Sequence, residues 1–74
     1  MTLEEIKSYY GNKTGFKFNG SADELNQLVA GAGYSYNTLT VNYILYFFID
    51  LPADENGQVD TAPVTALSNN IEVI

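Results

Sequence analysis

The residues best suited to chemistry lie between Asp54 and Asp60. Asp54, Asn56, Gln58 and Asp60 alternate around Gly57, as oxygen ligands alternate in a calcium-binding loop. Such a loop needs its glycine at the sixth place and a bidentate acid at the twelfth. With Gly57 sixth, the first and twelfth places fall on Pro52 and Pro63. Neither carries a side-chain oxygen, so the register fails and the stretch reads as a solvated turn. Three adjacent acid pairs, Glu4-Glu5, Asp23-Glu24 and Asp54-Glu55, raise the question of acid–base work by paired carboxylates. The first two suit the opening turn of a helix, where adjacent side chains do not face each other. The chain has no cysteine and no histidine. That removes disulfides, thiolate ligands, the commonest zinc and haem ligand, and the usual general base near neutral pH. Serine or threonine with lysine is what remains for nucleophilic catalysis, and nothing marks one of the three lysines as buried. The protein is therefore expected to be no enzyme and to hold no cofactor and no metal.

Charge narrows the partners. Lys7, Lys13 and Lys17 all precede Phe18, beside Glu4 and Glu5, in a chain of formal net charge −6. The other seven of the nine acids follow Phe18 with no base among them (9 − 2 = 7). Nucleic-acid binding depends on lysine and arginine neutralising phosphates, and an anionic membrane repels such a chain. The expectation is no nucleic-acid partner and no membrane partner. An acidic surface keeps a small protein in solution and also steers association with a basic protein. The opening residues are acidic, unlike a secretory or transit segment. The longest apolar-rich run, Leu39 to Leu51, is shorter than the ~20 residues of a membrane-spanning helix. A cytoplasmic location is expected, that of the host cell if a phage encodes the protein, or a place within an assembly.

The 74 residues suffice for one domain, residues 1–74. Its elements follow from caps and periodicity. Thr2 and Glu5 form a capping box before Leu3, Ile6 and Tyr10, which share one helical face over residues 2–10. Gly15-Phe16-Lys17-Phe18 alternates as a short strand, and Asn19-Gly20 turns the chain. Ser21 and Glu24 form a second box, opening a helix over 22–30 with Ala22, Leu25, Leu28 and Val29 apolar. Gly31 and Gly33 end it. From Thr38 to Leu51 every odd position is apolar or aromatic, a strand pattern. A strand so long should contain a bulge or bend. Asn56-Gly57 is the strongest hairpin signal. Residues 64–67 and Ile71–Ile74 alternate enough for one or two further short strands.

The fold expected is α+β: two short capped helices packed on a small antiparallel sheet built around residues 38–51. Val41, Ile44, Leu45 and Phe48 also form a helical stripe, so the alternative is an all-α, three-helix domain with residues 35–50 as its third helix. The stretch Ala32–Leu39, with Gly33 and Ser35-Tyr36-Asn37-Thr38-Leu39, resembles the turn and recognition-helix start of helix-turn-helix regulators. That resemblance spans Leu25–Ile44 and implies a DNA-binding regulator. It departs from the pattern at Val29, where a small alanine is expected, and at Asn42, where an apolar residue is expected. It also lacks any basic residue in the recognition helix, which charge therefore disfavours.

The aromatic residues remain. Strand alternation places Tyr46 and Phe48 opposite Tyr43 and Phe47. Two helices cover one face of a small sheet well and two faces poorly, and an exposed aromatic patch marks a partner site. Tyr34, Tyr36, Tyr46, Phe48, Asp50, Asp54 and Glu55 are thus the candidate protein-binding residues. The function expected is a non-enzymatic acidic protein–protein interaction module, an inhibitor or adaptor. Its partner is a basic protein or another copy of the chain. The alternatives are a structural subunit of a larger assembly such as a virion, and the regulator just described. In composition the chain resembles proteins encoded by phages and mobile elements, with no motif behind the likeness.

Overall fold

Hydroxyl caps start both main helices. In the computed structural model, which describes Met1–Ile74, α1 spans Leu3–Tyr9 with Thr2 as its cap. The Glu5 N–H donates to Thr2 Oγ1 at 3.2 Å, and the Thr2 N–H donates to Glu5 Oε1 at 3.0 Å. Ser21 and Glu24 repeat the arrangement at the start of α2, Ala22–Leu25. This helix runs on as a widened π turn, Asn26–Ala30. Leu25 and Val29 come four residues apart and are both fully buried.

The cap has a measurable consequence. Hydrogen bonds from the Thr2 backbone and then its side chain hold the Glu5 carboxyl below its ordinary pKa. A group whose pKa is depressed by folding stabilises the fold above its unfolded pKa, and that contribution is lost as pH falls through the folded value. The α1 cap should therefore weaken only at pH below the ordinary glutamate range. Thr2→Ala keeps the backbone donor and removes only the hydroxyl, so the Glu5 carboxyl should titrate higher than in the wild type yet still below its ordinary value, read by carbon NMR. An identical titration in both proteins would show that the cap does not hold the charge.

Four strands form one antiparallel sheet in the order β2-β3-β1-β4. They are β1 (Thr14–Phe18), β2 (Asn37–Val41), β3 (Ile44–Ile49) and β4 (Ile71–Val73). β1 lies inside the sheet, pairing Phe16 with Phe47 on one side and with Val73 on the other. This is the α+β architecture expected, and a strand does end the chain. The all-α alternative is overturned, because residues 35–50 contain two strands and no helix.

Three local expectations need correction. Residues 38–51 are two strands joined at Asn42-Tyr43, where one bent strand was expected. Both residues are left-handed, with φ of 53° and 65°, which defines the tight turn whose twist matches its flanking strands. The turn reverses the faces, so Leu39 and Val41 lie with Tyr46 and Phe48 instead of with Phe47. Asn56-Gly57 closes a turn held by a lone bridge, Ala53 to Val59, and no true hairpin. Residues 64–67 were expected as a strand, but α3 occupies Ala62–Thr65. Pro63 fits the first helical turn, where its fixed φ is already correct, and Asp60 Oδ1 accepts the Ala62 N–H at 3.0 Å.

The sheet is covered on both faces. On one, Phe16, Phe18, Phe47, Ile49 and Ile71 pack against Leu25, Val29 and Val64 of α2, its π turn and α3. The Phe16 and Phe47 rings stack with centroids 5.1 Å apart. On the other, Tyr46 and Phe48 meet Ile6 of α1, and Tyr10 lies 4.7 Å from the Phe48 ring. No helix is long and apolar enough to cross a membrane.

Candidate functional site

The residues proposed from the sequence as a binding surface do not form one exposed patch. Tyr46 and Phe48 do lie opposite Phe47, but they are 7% and 1% exposed. α1 covers the face that was expected to stay open, because its Leu3–Tyr9 turn brings Ile6 and Tyr10 onto it. Tyr34 and Tyr36 are half-buried against the other core. The Tyr36 hydroxyl donates to Asn26 Oδ1 at 2.9 Å, which ties the chain before β2 to the π turn. Asp50, Asp54 and Glu55 are exposed beyond the end of β3. Asp54 has a structural duty, since its Oδ1 accepts the N–H groups of Asn56 and Gln58, each at 2.9 Å.

The acidic loop does not assemble a cation site. No three acids converge on one point, and one of the two Asp54 carboxylate oxygens is occupied by two backbone donors. Thermal melts in EDTA and in millimolar calcium should therefore superimpose. A rise of several degrees with calcium would contradict this account of the loop.

The helix-turn-helix resemblance has no structural counterpart. Its recognition helix would begin near Ser35, and β2 begins at Asn37 instead. β-branched Thr38, Thr40 and Val41 favour that strand.

A different site emerges at the opposite end of the sheet from the acidic loop. Antiparallel pairing sets Thr14 beside Ile49 and Phe18 beside Leu45. Asp50 therefore follows one end of the sheet, and the Asn42-Tyr43 turn lies at the other with the end of β1 and the start of β4. There a cleft of about 300 Å³ opens between the turn and the sheet. It is lined by Tyr43, by Asn19, Asn69 and Asn70, and by Lys17 and Glu72. Lys17 Nζ lies 3.2 Å from Glu72 Oε2 across two half-exposed to exposed side chains. Such a pair contributes little to stability.

No protein-family model, curated protein or solved structure matches the chain. The site is thus read from its own geometry. Tyr43 dominates it. Its side chain is wholly exposed, at 103% of the reference area, and Ile44 beside it is 38% exposed. A left-handed φ in a bulky residue is an outlier that normally calls for glycine or asparagine. The amides lining the cleft can donate and accept hydrogen bonds, but they neither activate nor protonate a reacting group. The charged groups beside them are Lys17 and Glu72, which pair with each other. Sequence reasoning placed Tyr43 on the same face as Phe47, because alternation through an unbroken strand requires it. The one signal that could have moved it was Asn42, a turn-former inside the apolar run.

Proposed function

We propose that the protein is a non-enzymatic protein-binding module, of the inhibitor or adaptor kind, whose docking element is the β2–β3 hairpin. One observation carries the reading. Tyr43 stands fully exposed at the hairpin tip in a left-handed conformation. A bulky residue there costs about 1–2 kcal/mol, and glycine would remove the cost. A rigid aromatic held out from the surface is the usual anchor of a protein interface. The adjoining cleft supplies amides for a partner's backbone or polar side chains. The net charge of −6 favours a basic partner and opposes nucleic acid.

The test is affinity capture from the native extract, with the wild type and Tyr43→Gly as parallel baits. At least one protein should be held by the wild type and lost by the variant. Titration of that purified partner should show binding weakened at least about tenfold. Equal binding to both baits would remove Tyr43 as the anchor and the reading with it.

A further inference from the structure

The two edges of the sheet are not alike. β4 is three residues long and carries Glu72, and short charged edges resist pairing with another chain. β2 is a regular five-residue strand, Asn-Thr-Leu-Thr-Val, with no charge, no proline and no bulge. Its pairing with β3 closes at Val41 and Ile44 around a two-residue turn. In such a hairpin the closing pair and every second residue before it exchange bonds with the partner strand. Asn37, Leu39 and Val41 thus face β3. The N–H and C=O groups of Thr38 and Thr40 point to the free edge, and no backbone bond outside the ladder engages them.

We propose that β2 pairs with β2 of a second copy, antiparallel, about a two-fold axis through Leu39. This deepens the binding-module reading and rests on it, naming a copy of the chain as one partner. Thr38 then lies opposite Thr40 of the other copy, twice over. Each of these pairs exchanges two backbone bonds, so all four outward groups on each strand are satisfied. No other antiparallel register pairs all five residues of both strands. Leu39, half-buried in the monomer, meets its own symmetry mate at the close, non-hydrogen-bonded position. The threonine pairs and the leucine pair are both favourable cross-strand combinations. Charge does not oppose a second copy at this edge. From Asn26 to Ile49 there is no charged side chain, so two chains of net charge −6 meet along their uncharged segment. An isologous contact of this kind closes on itself and joins two four-stranded sheets into one of eight.

Sedimentation equilibrium on the intact chain, from about 10 μM to about 1 mM, reads the association. The wild type should show a monomer–dimer equilibrium, as expected for a small interface. Thr38→Lys with Thr40→Lys sets like charges opposite each other in this register and should weaken the dimer at least about tenfold. Thr38→Glu with Thr40→Lys sets opposite charges there and should restore wild-type or tighter association at low salt. Both sites are exposed, and circular dichroism will confirm that the variants fold. Should either fail to fold, amide exchange of Thr38 and Thr40 in the wild type decides alone, slowing with concentration if the edge is paired. A wild type monomeric throughout, or two double variants that associate equally, would overturn the pairing. A monomeric wild type whose capture still depends on Tyr43 would sink this proposal alone. A dimer whose captured proteins ignore Tyr43 would uphold it and sink the hairpin-tip reading.

Discussion

Phe47→Asp should leave no folded protein at room temperature. The Phe47 ring is fully buried, stacked on Phe16 and met edge-on by Tyr36 at a centroid distance of 6.3 Å. Truncating such a ring costs about 3–5 kcal/mol before any charge is considered. A carboxylate in that position adds an unpaired buried charge. A domain of this size has about 3–5 kcal/mol of net stability in all. Far-UV circular dichroism should show a disordered chain, and a native spectrum would disprove the placement of Phe47. Tyr46→Asp should also disrupt the fold, although Tyr46 points the other way. It is 7% exposed beneath α1, and its loss removes the footing of Ile6. An exposed Tyr46 would have tolerated the charge. A Tyr46→Asp variant as stable as the wild type would therefore show that α1 does not cover this face.

Tyr43→Gly should have the opposite sign, making the protein more stable and less able to bind. Relief of a left-handed bulky residue is worth about 1–2 kcal/mol per position. The greater freedom of glycine in the unfolded chain returns roughly 0.5–1 kcal/mol of that. A net gain of about 0.75 kcal/mol raises the melting temperature by about 3–6 °C in a small domain. The side chain makes no compensating burial, since it is wholly exposed. Differential scanning calorimetry checks the shift. An unchanged or lower melting temperature would mean that the turn is not strained. A gain in stability coupled to a loss of binding is the signature of a residue retained for function.

The parts of the fold legible in the sequence are those fixed by local chemistry. Thr2–Glu5 and Ser21–Glu24 are reciprocal cap pairs that need no tertiary information. Phe16 and Phe18 announced β1 by alternation alone. Strand type over residues 38–49 was legible as well, because β-branched and aromatic residues dominate it. The break within it was not. Asn42-Tyr43 lacks the glycine that marks such turns, and the apolar run continues straight through. That one missed turn inverted the faces of Leu39 and Val41 and hid Tyr43. The covering of Tyr46 and Phe48 was illegible for another reason. Which face of a sheet a helix settles on depends on how the chain passes from Tyr10 to Thr14, and no residue type encodes that directly. Val64 was misassigned because a four-residue helix has too few positions to show a period.

The place of β1 between β3 and β4 also bears on how the chain reaches its fold. β2 and β3 meet across a two-residue turn, whereas β1 must find residues 45–49 and then 71–73. Contacts so distant along the chain raise the contact order and slow folding. The β2–β3 ribbon is the one piece of sheet that can form early from nearby residues, and hairpins of this kind close in about 1–10 μs. During synthesis β1 has no partner until β3 has emerged, and it remains an open edge until Ile71 follows. For that interval the strand carrying Phe16 and Phe18 is exposed to misassociation with other nascent chains. The strained turn at Asn42-Tyr43 sits in this early-forming ribbon. Relieving it should quicken that first closure, while the distant pairing of β1 still sets the pace of assembly.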